Sequence, residues 1–190
     1  MILPRKKAFI SQITDWLYIS SEARAVDTEA IIERDIGLVI SMIGNHRPPQ
    51  SFDQHPLQLL WLQTYDTFLT PIPMSYLILG VEKALPFIQS GKGVLCFCQQ
   101  GRHRSVAMAA SILIGMGYSA EEAMTTIRSK RKIARPQTWH IRKRIELFEK
   151  RWPQHNEQSL LHQDGRKTYS EFITDVVSKL VWRLGLGRNR

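Results

Sequence analysis

Residues 93–116 read Gly-Val-Leu-Cys-Phe-Cys-Gln-Gln-Gly-Arg-His-Arg-Ser-Val-Ala-Met-Ala-Ala-Ser-Ile-Leu-Ile-Gly-Met. The run 94–98 is apolar at every position, without polar alternation, so the spacing predicts a strand covered on both faces, as in a parallel sheet. From Ser105 to Met116 the chain is apolar nearly all round, the mark of a helix buried in a core. The residues between are polar, hold Arg102, His103 and Arg104, and include a single glycine, Gly101. A buried strand, a short basic loop and a buried helix therefore follow one another directly.

Outward from this unit the same alternation continues. On the N-terminal side, strands are expected over 16–19, 38–42 and 59–62, a helix over 25–34, and a proline-bearing loop over 46–56. Thr70-Pro71 opens a helix running to about 88, and Pro86 is expected to kink or shorten its last turn. On the C-terminal side, Ser119 and Glu122 form a capping box that starts a helix to about 131. A further helix is expected over 138–151, with Pro153 as its stop. The fold class is α/β: a central, mostly parallel sheet flanked by helices on both faces. Sites in such sheets lie beyond the carboxyl ends of the strands, where Cys98 and Asp66 both fall.

The chain has 190 residues and a formal net charge of +9. That length supports a single core without staples, and the charge favours an acidic partner without choosing among phosphorylated protein, anionic lipid and nucleic acid. The two cysteines, Cys96 and Cys98, exclude a disulfide scaffold and point to a reducing cytoplasm. The first ten residues do not have the order of a signal peptide, and no apolar run approaches membrane-spanning length.

The loop carries the chemistry. Between a strand and a buried helix its backbone N–H groups can form a nest for an anion, with the helix N-terminus adding positive potential. N–H dipoles and nearby cations favour thiolate over thiol, so Cys98 is a candidate nucleophile. Gly101 lets the loop bend tightly. Arg104 can return to grip two phosphoryl oxygens at once, which lysine cannot match. Ser105 can donate a hydrogen bond to the sulfur and improve it as a leaving group. The Gly-x4-Gly-Lys-Ser/Thr pattern of nucleotide-binding loops is not present.

Cys98-x5-Arg104-Ser105 in this setting resembles the signature of the cysteine-dependent protein-tyrosine and dual-specificity phosphatase superfamily. The resemblance covers about 10–152 and favours the compact dual-specificity branch. It implies hydrolysis of phosphomonoesters of tyrosine, and of serine or threonine, through a phosphocysteine intermediate, with no metal and no organic cofactor. Cys98 would be the nucleophile, Arg104 the phosphate clamp, Ser105 the donor to sulfur. Gln99, Gln100, Gly101, Arg102 and His103 would line the substrate. The family places an aspartate general acid some thirty residues before the cysteine, and Asp66 lies 32 residues before it, with Asp53 as the rival. Two departures stand out: Phe97 occupies the place where the family usually has histidine, and Gln99 and Gln100 are neutral where lipid phosphatases often carry lysine.

Two other readings stay open. Gly101 to Ser105 and Ala134-Arg135-Pro136-Gln137 are similar to stretches of phosphatidylglycerophosphate phosphatases, so a phospholipid or phosphoinositide substrate is the alternative within enzymes. A non-catalytic phosphate-binding module is the alternative outside them. No aromatic platform for nucleic acid is recognisable, so no nucleic-acid partner is expected. Cys96 is either core filling or a trap for oxidised Cys98, and a zinc site from Cys96, Cys98 and His103 fits no common ligand spacing. Residues 153–190 form an extension in which 168–184 reads as an amphipathic helix. That helix packs on protein, in this chain or a homodimer, or lies on a membrane surface.

Overall fold

The apolar runs read as strands do pair with one another in a single sheet. The computed structural model describes residues 10–22, 27–67 and 69–162, with the backbone alone for 156–162. In chain order the elements are β1 (Ser11–Gln12), β2 (Leu17–Ser21), α1 (Thr28–Ile32), β3 (Ile36–Ser41), β4 (Gln58–Trp61), α2 (Met74–Gln89), β5 (Gly93–Cys98), α3 (Arg104–Gly115), α4 (Ala120–Lys130) and α5 (Trp139–His162). The sheet order is β1-β2-β5-β3-β4. Among the described residues only the β1–β2 pair is antiparallel, whereas β5 lies parallel to β2 on one side and β3 on the other. The central place of β5 accounts for its unbroken apolar sequence: all six of its residues are buried.

Alternation along β5 sends successive side chains to opposite faces. Leu95 and Phe97 join Tyr18, Val39, Ile31 of α1 and Phe52 in one apolar cluster. Against the other face lies α3, buried at every position, with α2 and α4 packed on it. Full burial is why this helix shows no polar stripe in its sequence. α4 begins with the expected capping box: the Ser119 hydroxyl accepts from the Glu122 N–H, and the Glu122 carboxylate accepts from the Ser119 N–H. The Glu122 carboxylate accepts from both the N–H and the hydroxyl of Ser119, and those two bonds hold it below the usual range.

Several boundaries differ from the sequence expectation. β1 is too short and too polar for its period to be read. The loop over 46–56 contains a 3-10 turn, Gln50–Asp53, that buries Phe52. α2 starts at Met74 because Thr70 instead bonds its N–H to the Thr67 hydroxyl at 2.9 Å. Pro86 sits inside α2, which runs on to Gln89, with Leu77, Val81, Ala84 and Ile88 buried before and after it. Pro153 likewise does not end its helix, which continues to His162. A proline removes one bond from the helical ladder, and the neighbouring turns keep theirs. The helix read over 25–34 is reduced to α1, capped by Asp27; residues 23–26 lie outside the described residues.

The chain divides into two compact units, Met1–Glu149 and Lys150–Arg190. In the second, the described part is the later portion of α5, and the amphipathic helix expected over 168–184 lies outside the described residues. Among the described residues no helix is long and apolar enough to cross a membrane.

Candidate active site

Cys98 is the last residue of β5, fully buried, and α3 begins six residues later at Arg104. Its Sγ lies 3.3 Å from the Ser105 hydroxyl in the first turn of that helix. The residue before α3, His103, makes no side-chain cap bond. The first-turn N–H groups are thus left to face the loop, the arrangement that suits an anion. Gly101 has φ +64°, and a Cβ there would stand 2.6 Å from the Ser20 carbonyl oxygen and closer still to the guanidinium of Arg131. Both the left-handed backbone and the close approach exclude a side chain.

Arg131, at the end of α4 and 4% exposed, carries no sequence signal of its role. It donates to the Gly101 carbonyl at 2.8 Å, the Ser11 hydroxyl at 2.9 Å and the Ile19 carbonyl at 3.4 Å. It therefore ties the bend of the loop to β1 and β2. A second strap joins the loop to the segment before α5, where the Arg135 N–H donates to the Arg102 carbonyl at 2.9 Å.

Arg104 is 5% exposed. One terminal nitrogen donates to the Met42 carbonyl at 2.7 Å and the Thr64 carbonyl at 2.6 Å, the backbone just past β3 and β4. Its Nε is buried with no hydrogen-bond partner, as is the Nε of Arg102. Buried polar atoms are normally satisfied, so a guanidinium held in this way is poised for an anion. Asp66 completes the group: its Oδ2 lies 3.9 Å from Arg104 Nε and 3.3 Å from His103 Nδ1. The sequence expectation that Asp66 and the cysteine loop meet at the strand ends is realised in space. The rival, Asp53, pairs with Arg47 at 3.8 Å instead. Asp66, Gln100 and His103 line an open cleft of about 490 Å³ with Thr67, Thr138, Trp139 and His140. Gln99 is exposed and does not line it. His140 stands 42 residues beyond Cys98 in sequence, and no local pattern marks it or Trp139.

The departure at position 97 and the second cysteine both find an explanation in packing. Phe97 is 1% exposed and meets Phe52 edge to face, with ring centroids 5.8 Å apart. It belongs to the face of the sheet opposite the thiol, so an apolar pair occupies its place. Cys96 shares the face of Cys98 but is fully buried, and that burial, with a smaller contribution from Cys98, pushes its thiol well up. It stays protonated and packs as core.

No family model matches the chain. It is similar to dual specificity protein phosphatase 1B of Arabidopsis thaliana, with 31% identity over 144 residues, 74% of this chain and 82% of that relative. Among solved structures it is similar to human DUSP28, with 18% identity, a TM-score of 0.68, and 76% of this chain and 99% of that one covered. A mouse putative dual specificity phosphatase complexed with zinc tungstate gives 18% identity and a TM-score of 0.70 over 82% and 94% of the two chains. PTPMT1 in complex with PI(5)P gives 21% identity and a TM-score of 0.66 over 77% and 98%.

Proposed function

We propose, from the premise that this chain belongs to the dual specificity protein phosphatase family, that it hydrolyses phosphotyrosine and phosphoserine or phosphothreonine on proteins through a phosphocysteine formed at Cys98. The observation that carries this reading is the thiol at 3.3 Å from Ser105, beneath a loop whose buried Arg104 stands 3.9 Å from Asp66. A phosphoryl group seated on the loop N–H groups and clamped by Arg104 would present its phosphorus to Cys98 Sγ. The thiolate attacks, the P–O bond of the ester breaks, and protonated Asp66 gives its proton to the departing oxygen. Asp66, now a carboxylate, takes a proton from the water that attacks phosphocysteine; the S–P bond breaks, and the Ser105 hydroxyl steadies the leaving thiolate. No step calls on a metal. Two free cysteines suit a reducing compartment, and the cytoplasm is our proposed location for the enzyme.

The activity named for the Arabidopsis relative supports a protein substrate. A phospholipid substrate is the second reading, and two observations favour it. Leu69, Ile133 and Trp139 are exposed by 77%, 51% and 64% in a chain that also carries the cationic Arg102 and Arg135 at its loop, a composition suited to an interface. PTPMT1 was captured with a phosphoinositide. Phosphate release from phosphotyrosine peptide, phosphothreonine peptide and phosphatidylglycerophosphate or phosphoinositide vesicles, measured side by side, decides. We expect the peptides to be turned over with the higher kcat/KM. Vesicles favoured over both peptides would replace the protein reading by the lipid one, and anion binding without turnover of any of them would leave a phosphate-binding module.

A further inference from the structure

Asp66, His103 and His140 bring one carboxylate oxygen and one nitrogen from each imidazole to within 4.8 Å of one another. They arrive from three separate places: the segment after β4, the cysteine loop and the first turn of α5. Asp66 and His103 already touch, 3.3 Å apart. The His103 and His140 rings meet edge to face with centroids 5.8 Å apart, and Nδ1 of His140 is buried with no hydrogen-bond partner. An unsatisfied buried nitrogen on one of three side chains whose donor atoms cluster in this way suits the binding of an electrophile.

We propose that these three side chains form a site for one zinc-class divalent cation, which on binding shuts the enzyme off reversibly. Two imidazoles and one carboxylate are the donors that zinc-class ions prefer, whereas magnesium and calcium want oxygen alone. Zinc bonds of about 2.0–2.2 Å in a tetrahedron place donors roughly 3.3 Å apart. The present spacing needs a contraction of about 1.5 Å at most, within reach of side-chain rotations at the rim of an open cleft. Three protein ligands leave a fourth position open to water or to a phosphoryl oxygen. Cys98 is not part of the site, being fully buried beneath the loop. The loss of activity rests on the reading of Asp66 as the general acid: an oxygen bound to the cation has no proton to give. The binding itself does not rest on it.

The test separates the two. Zinc, and cobalt as a spectroscopic substitute, are titrated into the full chain carrying Cys98→Ser, which removes the competing thiolate. One equivalent should bind, with the intense visible bands of four- or five-coordinate cobalt. His140→Gln and His103→Gln in that background should each weaken binding at least tenfold, with thermal melts reporting that each variant is folded. With Cys98 present, zinc should inhibit turnover and magnesium should not. The inhibition constant should rise in His140→Gln by the factor seen in binding, each rate being taken relative to that variant's own metal-free rate. Undiminished binding in either folded histidine variant, or zinc binding that disappears with Cys98→Ser, would overturn the site. Binding that requires both histidines yet leaves turnover untouched would overturn the inhibition and, with it, the role given to Asp66.

Discussion

Replacing Phe97 by histidine restores the residue the family usually carries before its cysteine, and in this chain it should do harm without benefit. Phe97 is 1% exposed, clustered with Val39, Ile43, Phe52, Leu57 and Leu95, and stands edge to face with Phe52 at 5.8 Å and 79°. Losing that aromatic pair costs about 0.5–1.5 kcal/mol. An imidazole at 97 would find the buried, unpartnered hydroxyl of its register neighbour Ser41 for one nitrogen and leave the other to the apolar cluster, which costs a further 1–3 kcal/mol or so. The sum, about 1.5–4.5 kcal/mol, corresponds to a fall in Tm of roughly 3–18 °C for a chain of this size. The thiol lies on the other face of β5, so the acid limb of the kcat/KM–pH profile should superimpose on that of wild type. Urea melts give the stability, and a p-nitrophenyl phosphate pH series at a temperature below both transitions gives the profile. A Phe97→His protein as stable as wild type would refute the packing argument. An acid limb moved down by a whole unit, about 1.4 kcal/mol of added thiolate stabilisation, would show that position 97 reaches the sulfur after all.

Five further outcomes follow from the site and the core beside it. Cys98→Ser should abolish turnover while tungstate or phosphate still binds, by calorimetry, to the surviving N–H groups; Arg104→Lys should lose both, because a lysine cannot hold the Met42 and Thr64 carbonyls and an anion together. Asp66→Asn should lower kcat by about 10²–10⁴ on phosphopeptides, and by much less on nitrophenyl phosphate, whose leaving group needs little protonation; steady-state kinetics on both substrates check this. Arg131→Met should cost about 3 kcal/mol in urea melts, since hydrogen bonds to Gly101, Ser11 and Ile19 go with it, and should weaken tungstate binding by freeing the bend of the loop. Cys96 should resist iodoacetamide at about pH 8 in the folded protein, because burial keeps it a thiol, and should be alkylated in urea, as peptide mass mapping would report.

What can be read along the chain is what short-range pattern encodes. The apolar runs of β3 and β5 and the all-apolar α3 are consequences of being covered on both sides, so they announce a parallel sheet with helices against it. The cysteine loop is legible because its strand, glycine, arginine and serine are contiguous. Asp66 is placed by its position after a strand, which in a parallel sheet is also a position in space. Arg131 and His140 are not legible, for a common reason. Each acts across a large sequence separation, through a carbonyl of the loop or a ring of His103, and an arginine or histidine near a helix end carries no local mark of it. The prolines mislead in the opposite direction. By local rule Pro153 reads as a stop and Pro86 as a kink or early end of the last turn, yet α2 keeps burying Ile88 beyond Pro86, and both helices continue past their prolines.

The two buried arginines divide one task, and the division explains why the loop needs both. The cost of bringing a guanidinium out of water must be offset by hydrogen bonds in good geometry. Arg131 directs its donors to protein, fixing Gly101 against β1 and β2. Arg104 commits one terminal nitrogen to the ends of two strands and keeps Nε without a hydrogen-bond partner. The first sets the curvature of the N–H nest, the second the position of the clamp, and both are set before substrate arrives. An anion then finds its donors already oriented, so little ordering remains to be done on binding or as charge shifts in the transition state. Removing Arg131 should therefore be felt in anion affinity, although its guanidinium is bonded to the loop and the strands and not to the phosphate. A variant that kept full tungstate affinity while losing stability would show that the loop holds its shape without that tie.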